Sequence, residues 1–156
     1  MADLRPILLV EDNPKDIELT LAALAKCQLA NEIVVTRDGA EALDYLMARG
    51  QFEGRQAGNP AVVLLDLKLP KIDGLEVLKA IRTTDGLRST PVVMLTSSKE
   101  EQDLVRSYEL GVNAYVVKPV DFGEFVRAIA DLGIFWAVLN EPPPGSARYI
   151  KPITPK

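Results

Sequence analysis

The chain has 156 residues, enough for one domain with a full hydrophobic core, and its 47% hydrophobic and 26% charged content is an ordinary globular balance. A net charge of −4 with scattered Lys and Arg speaks against nucleic acid as a partner, and no apolar run approaches the roughly 18 residues that span a bilayer. Histidine is absent, which excludes Ser-His and Cys-His catalysis, imidazole-based zinc sites and histidine phosphotransfer within this chain.

In chain order, the residues before Pro6 read as a short leader into a buried strand rather than a signal peptide. Pro6 to Val10 is a continuous apolar strand. Asn13 to Lys26 follows as a helix, with Ile17, Leu21 and Leu24 on one face and Pro14 tolerated in its first turn. The single cysteine, Cys27, has no partner for a disulfide; it reads as a small buried apolar residue, and a cytoplasmic setting is expected. Glu32 to Thr36 is a short β-branched strand, and Asp38 to Arg49 a helix burying Leu43, Leu46 and Met47. Gly50 to Pro60 carries three glycines and a proline and predicts a surface loop.

Ala61 to Asp66 is the third strand and the most apolar. A helix from about Leu75 to Arg82 turns Leu75, Leu78 and Ile81 inward. Val92 to Thr96 is a fourth strand, Glu100 to Leu110 a helix, Ala114 to Val117 a fifth strand, and Phe122 to about Leu139 a long last helix. Continuously apolar strands separated by amphipathic helices predict a parallel sheet covered on both faces. The expected fold is α/β, a flavodoxin-like doubly wound (βα)5 chain with strand order 2-1-3-4-5, which places ligands at the carboxyl ends of the first and third strands.

Glu11 and Asp12 follow the first strand, and Asp66 ends the third. Neighbouring strands would bring these carboxylates together, and two such charges about 4 Å apart repel by roughly 4 kcal/mol at an effective dielectric near 20. Either a proton is retained or a hard divalent cation sits among them, and oxygen-only ligands suit Mg2+ best. The blander reading is that Glu11 and Asp12 only favour the N-terminus of the next helix. Thr96 ends the fourth strand and Lys118 follows the fifth, so a hydroxyl and an ammonium would face a phosphoryl group on Asp66. Phosphoryl transfer needs little more than such positioning and charge.

The segments ILLVEDN, VVLLDLKLPKIDG, VVMLTSS and NAYVVKP, in this order and spacing, resemble the four signatures of the receiver domain of response regulators. That resemblance covers about residues 5 to 139. It implies that Asp66 accepts a phosphoryl group from a sensor histidine kinase. Asp12 and Asp66 would then bind Mg2+ with the Lys68 backbone carbonyl, and Glu11 would bind through water. Thr96 would be the switch hydroxyl, Tyr115 the aromatic that turns inward behind it, and Lys118 the phosphate-binding lysine.

Domain limits of 1–139 for the receiver and 140–156 for a proline-rich extension follow. About 17 residues after the last helix are too few for a helix-turn-helix unit, so output by protein–protein contact is expected, and no enzymatic motif is apparent. In the last helix Phe125, Ile129, Leu132, Trp136 and Leu139 make one face, while Ile134, Phe135 and Val138 leave surplus apolar surface. With the prolines after it, this end resembles that of stand-alone response regulators of phytochrome-type kinases, and implies a homodimer through the last helix and extension. The alternative is a flavodoxin-like redox or small-ligand protein, which would need phosphate-binding glycines or hydroxyls where this chain has EDNPKD.

Overall fold

The computed structural model describes residues 5–26, 31–55, 58–97 and 101–118, together with Gly123 and Arg127. Strands β1 (Ile7–Val10), β2 (Ile33–Thr36), β3 (Val62–Leu65), β4 (Val92–Thr96) and β5 (Ala114–Val117) alternate with helices α1 (Pro14–Ala25), α2 (Gly39–Leu46), α3 (Gly74–Thr83) and α4 (Glu101–Glu109). The sheet is parallel throughout, in the order β2-β1-β3-β4-β5. The expected last helix lies outside the described residues, except that Gly123 and Arg127 are helical.

Side chains of successive strand residues point to opposite faces, and the two cores show it. On one face Ile7, Leu9, Val62, Leu64, Val93 and Leu95 pack with Ile17, Ala23 and Leu24 of α1. On the other, Leu8, Val10, Val63, Leu65, Val92 and Met94 pack with Leu43 and Leu46 of α2 and Val77, Leu78 and Ile81 of α3. Each fully buried Leu, Ile or Val contributes about 1.5–3 kcal/mol of hydrophobic stabilisation. Both faces are therefore core, which is why the strands read as unbroken apolar runs.

Local chemistry sets the helix boundaries. Asn13 caps α1, its side chain accepting from the backbone N–H groups of Lys15 and Asp16 at 2.9 and 3.0 Å, with Pro14 just inside. Asp38 and Asp73 cap α2 and α3 in the same way. Helix α2 stops at Leu46, three residues before the expected Arg49, because Ala48 turns into the left-handed region at φ 52°. The expected loop after it holds one 3-10 turn, Gly50–Phe52. Phe52 meets the edge of Tyr45 at a centroid distance of 5.2 Å, and Arg55 stacks over the same ring at 4.1 Å, which ties this segment to α2.

Two glycines fix the backbone around the carboxyl end of β3. A Cβ on Gly74 would lie 2.3 Å from the Asp66 carbonyl oxygen, and one on Gly39 would overlap the Ile72 carbonyl. Helix α3 and the β2–α2 turn thus press directly on the segment that follows Asp66. Gly74 also donates its N–H to the Leu67 carbonyl at 2.8 Å.

Candidate acidic and phosphoryl site

The register explains the site. Val10 lies between Thr36 and Leu65, so the next residues on β1 and β3, Glu11 and Asp66, emerge side by side. The Asp66 N–H donates to the Val10 carbonyl and the Glu11 N–H to the Thr36 carbonyl, both at 3.0 Å, which carries the sheet's hydrogen bonding past the strand ends. Carboxylate oxygens of Glu11, Asp12 and Asp66 lie within 4.8 Å of one another. Glu11 and Asp66 are buried, and Asp12 is exposed. The structure brings together the three acids expected from the sequence.

Lys118 enters this cluster from the end of β5, its side chain 9% exposed. Its ammonium donates to Glu11 Oε1 at 2.7 Å and to Asp16 Oδ2 at 2.9 Å, and stands 3.7 Å from Asp66 Oδ1. Asp16 was not among the expected residues. An acid three positions after a helix cap ordinarily reaches back to the cap's own N–H. Here Glu11 Oε2 already accepts the Asn13 N–H at 3.2 Å, and Asp16 pairs with Lys118 instead. No signal in one sequence marks that exchange, because Lys118 lies 102 residues away.

Thr96 closes β4 opposite Val117, the residue before Lys118. Tyr115 is half-buried on β5 and packs against the core cluster containing Met94 and Val112. Lys68 is exposed, and its residue lines a cavity of about 420 Å³ with Asp12, Leu67, Leu69, Pro70, Asp73, Leu75 and Asp103. This opening lies beside the acids and is itself acid-rimmed. Without a cation, these acids would repel the phosphate of a flavin or nucleotide.

Burial, and then the charge of Glu11, push the Asp66 carboxyl up from its ordinary 3.8 to about 7, against the opposing pull of Lys118. Burial alone would lower the Lys118 ammonium, but its hydrogen bonds to Glu11 and Asp16 and the charges of Asp66 and Glu11 outweigh that and raise it. The lysine therefore stays charged and neutralises part of the acid cluster.

A raised carboxyl stabilises the fold fully below its unfolded pKa and loses that contribution as pH rises through the folded one. Without divalent cations, the protein should lose stability from about pH 4 to about pH 7 on account of Asp66. Asp66→Asn should flatten that decline. Urea denaturation in EDTA across this range measures it, and an unchanged slope would contradict the assignment.

The donor set is three carboxylates, without nitrogen or sulfur, and two of them are buried where their charges need compensation. Hard divalent cations of the Mg2+ class fit such a set.

The sheet order, with an acid cluster and a lysine at the carboxyl ends of its strands, defines a doubly wound α/β fold with an acidic site at its switch point. The chain matches the response regulator receiver domain over residues 7–130, and it belongs to that family. It is similar to the bacteriophytochrome response regulator RtBRR, with 68% identity, a TM-score of 0.81, and coverage of 95% of this chain and 89% of that one. The bacteriophytochrome response regulator AtBRR is 72% identical, with a TM-score of 0.82 over 90% of this chain and 100% of that one. Response regulator Rcp1 of Synechocystis is 38% identical over 130 residues, 83% of this chain and 87% of its own length. The Mn(2+)-bound form of an Rcp1 response regulator superposes with a TM-score of 0.71 over 85% of this chain and 94% of that one, at 38% identity.

This is a response regulator of a two-component system, a signalling protein. Among the described residues, no helix is long and apolar enough to cross a membrane.

Proposed function

We propose that Asp66 is the phosphoryl acceptor, and that the donor is the phosphohistidine of a sensor histidine kinase of the bacteriophytochrome type. One observation carries the acceptor reading: the Asp66 carboxylate is buried between two further carboxylates and an ammonium 3.7 Å away, at the switch point of a doubly wound sheet. Similarity to RtBRR and AtBRR supports the kinase class.

In the transfer, an Asp66 carboxylate oxygen forms the new O–P bond as the N–P bond of the donor breaks, and the imidazole leaves with the electron pair. Glu11, Asp12 and Asp66, with the Lys68 carbonyl, would hold Mg2+, which supplies charge neutralisation for the phosphoryl oxygens. Lys118 contributes a further positive charge, 3.7 Å from Asp66 Oδ1. Thr96, at the end of β4, is the proposed switch hydroxyl, and Tyr115 the aromatic that follows its movement. The decisive experiment is phosphate labelling of the full chain by a small acyl-phosphate donor and by a bacteriophytochrome kinase. The reading requires labelling by both, dependent on Asp66 and on a divalent cation.

The receiver is assigned residues 1–139 and the extension 140–156, with output through protein–protein contact. The surplus apolar residues Ile134, Phe135, Trp136 and Val138 and the arm from Pro142 onward lie outside the described residues. Their composition supports a homodimer in which the last helix and the extension meet a second copy. Light scattering should give a dimer for the full chain and a monomer for a chain ending at Asn140. A full-length monomer at micromolar concentration would refute it.

A further inference from the structure

Lys118 makes a contact that the acceptor reading does not need. An ammonium has three donors. Glu11 takes one at 2.7 Å and Asp16 another at 2.9 Å, while Asp66 at 3.7 Å is beyond hydrogen-bonding distance. Asp16 belongs to α1, not to the strand ends that carry the other acids. Three features hold it there: the Asn13 cap, Pro14 at the first helical position, and the Glu11 carboxylate that occupies the Asn13 N–H. We propose that Asp16 is a positioning residue for Lys118, which with Glu11 anchors the ammonium toward α1 and keeps the Asp66 carboxylate open to a divalent cation.

This role rests on the acceptor reading of Asp66 and names a residue that sets the resting state of that site. Without the Asp16 carboxylate, the freed donor of Lys118 turns to the nearest acid it does not already hydrogen-bond, Asp66 at 3.7 Å. The ammonium then competes with the cation for the same oxygens. A general helix-stabilising role for Asp16 predicts something different, since an acid in the first turn contributes to α1 through the helix dipole and leaves the cation site alone. Thermal stability moves in both cases. Cation affinity distinguishes them.

The test is calorimetric titration of the full chain with Mn2+. Asp16→Asn and Asp16→Ala should weaken Mn2+ binding by about three- to fivefold, the scale of an ion pair in which Asp16 is one-third exposed. Asp16→Glu, which keeps the charge, should recover most of the affinity. In a Lys118→Met background, Asp16→Asn should have no further effect, because no ammonium remains to be released. Unchanged Mn2+ affinity in Asp16→Asn would overturn the proposal. So would an equal loss with and without Lys118, which would make Asp16 a bare charge near the site. Mn2+ binding is read without phosphotransfer. Failure of an acyl phosphate to label the unmodified chain would therefore sink the acceptor reading separately, with the cation titrations still deciding the role of Asp16.

Discussion

Asp66→Asn is expected to abolish phosphate labelling, by at least about a thousandfold, as removal of an attacking group does in enzymes that depend on one. The substitution keeps the shape of the side chain and exchanges a carboxylate for a neutral amide. It therefore leaves the packing of β3 and the close approach of Gly74 undisturbed. It also relieves the repulsion that raises the Asp66 carboxyl, so the variant should be at least as stable as the parent above pH 7. Loss of labelling in a protein that is no less stable cannot be attributed to unfolding. Chelation of divalent cations by EDTA should suppress labelling of the unmodified chain in the same assay. Parent-like labelling of Asp66→Asn, by kinase or by acyl phosphate, would place the acceptor elsewhere.

What made this site legible was its position on strands. The runs ILLV, VVLL and VVMLT could be recognised as buried strands, and in a doubly wound sheet the residue after each strand lands on one known edge. Glu11, Asp12, Asp66 and Lys118 are all of that kind, and the structure gathers them. Contacts that depend on how a helix or a turn leans on that edge were not legible. Gly39 falls inside one expected helix and Gly74 just before another, and only the folded backbone shows that a side chain at either would strike Ile72 or Asp66. Asp16 reads as a helix N-terminal acid, because its partner is set by tertiary packing. The early end of α2 is similar in origin: Ala48 takes a left-handed conformation that alanine does not favour, and no local propensity announces it.

Lys118→Ala is expected to cost about 3 kcal/mol of stability in the cation-free protein at pH 8, the scale on which one partner of a buried ion pair is missed. The Glu11 and Asp66 side chains are only 3% and 9% exposed, and the ammonium is the positive charge placed between them. Its removal leaves two buried carboxylates facing each other, with Asp16 the only one of its partners among the described residues substantially open to water. The cost should shrink at pH 6. Burial and the Glu11 charge already hold the Asp66 carboxyl near 7, and losing Lys118 removes a cause that lowers it, so below that value Asp66 keeps a proton and the repulsion lapses. Lys118→Met separates charge from packing, since it restores the aliphatic bulk without the ammonium. It should match Lys118→Ala at pH 8 if charge is responsible. Millimolar Mg2+ should return part of the lost stability to both variants, because a cation replaces the missing positive charge among the same acids. Urea denaturation at the two pH values, with EDTA or with Mg2+, measures each step. Equal stability losses at pH 6 and pH 8, or full repair by methionine, would mean that Lys118 serves the fold by its stem and not by its charge.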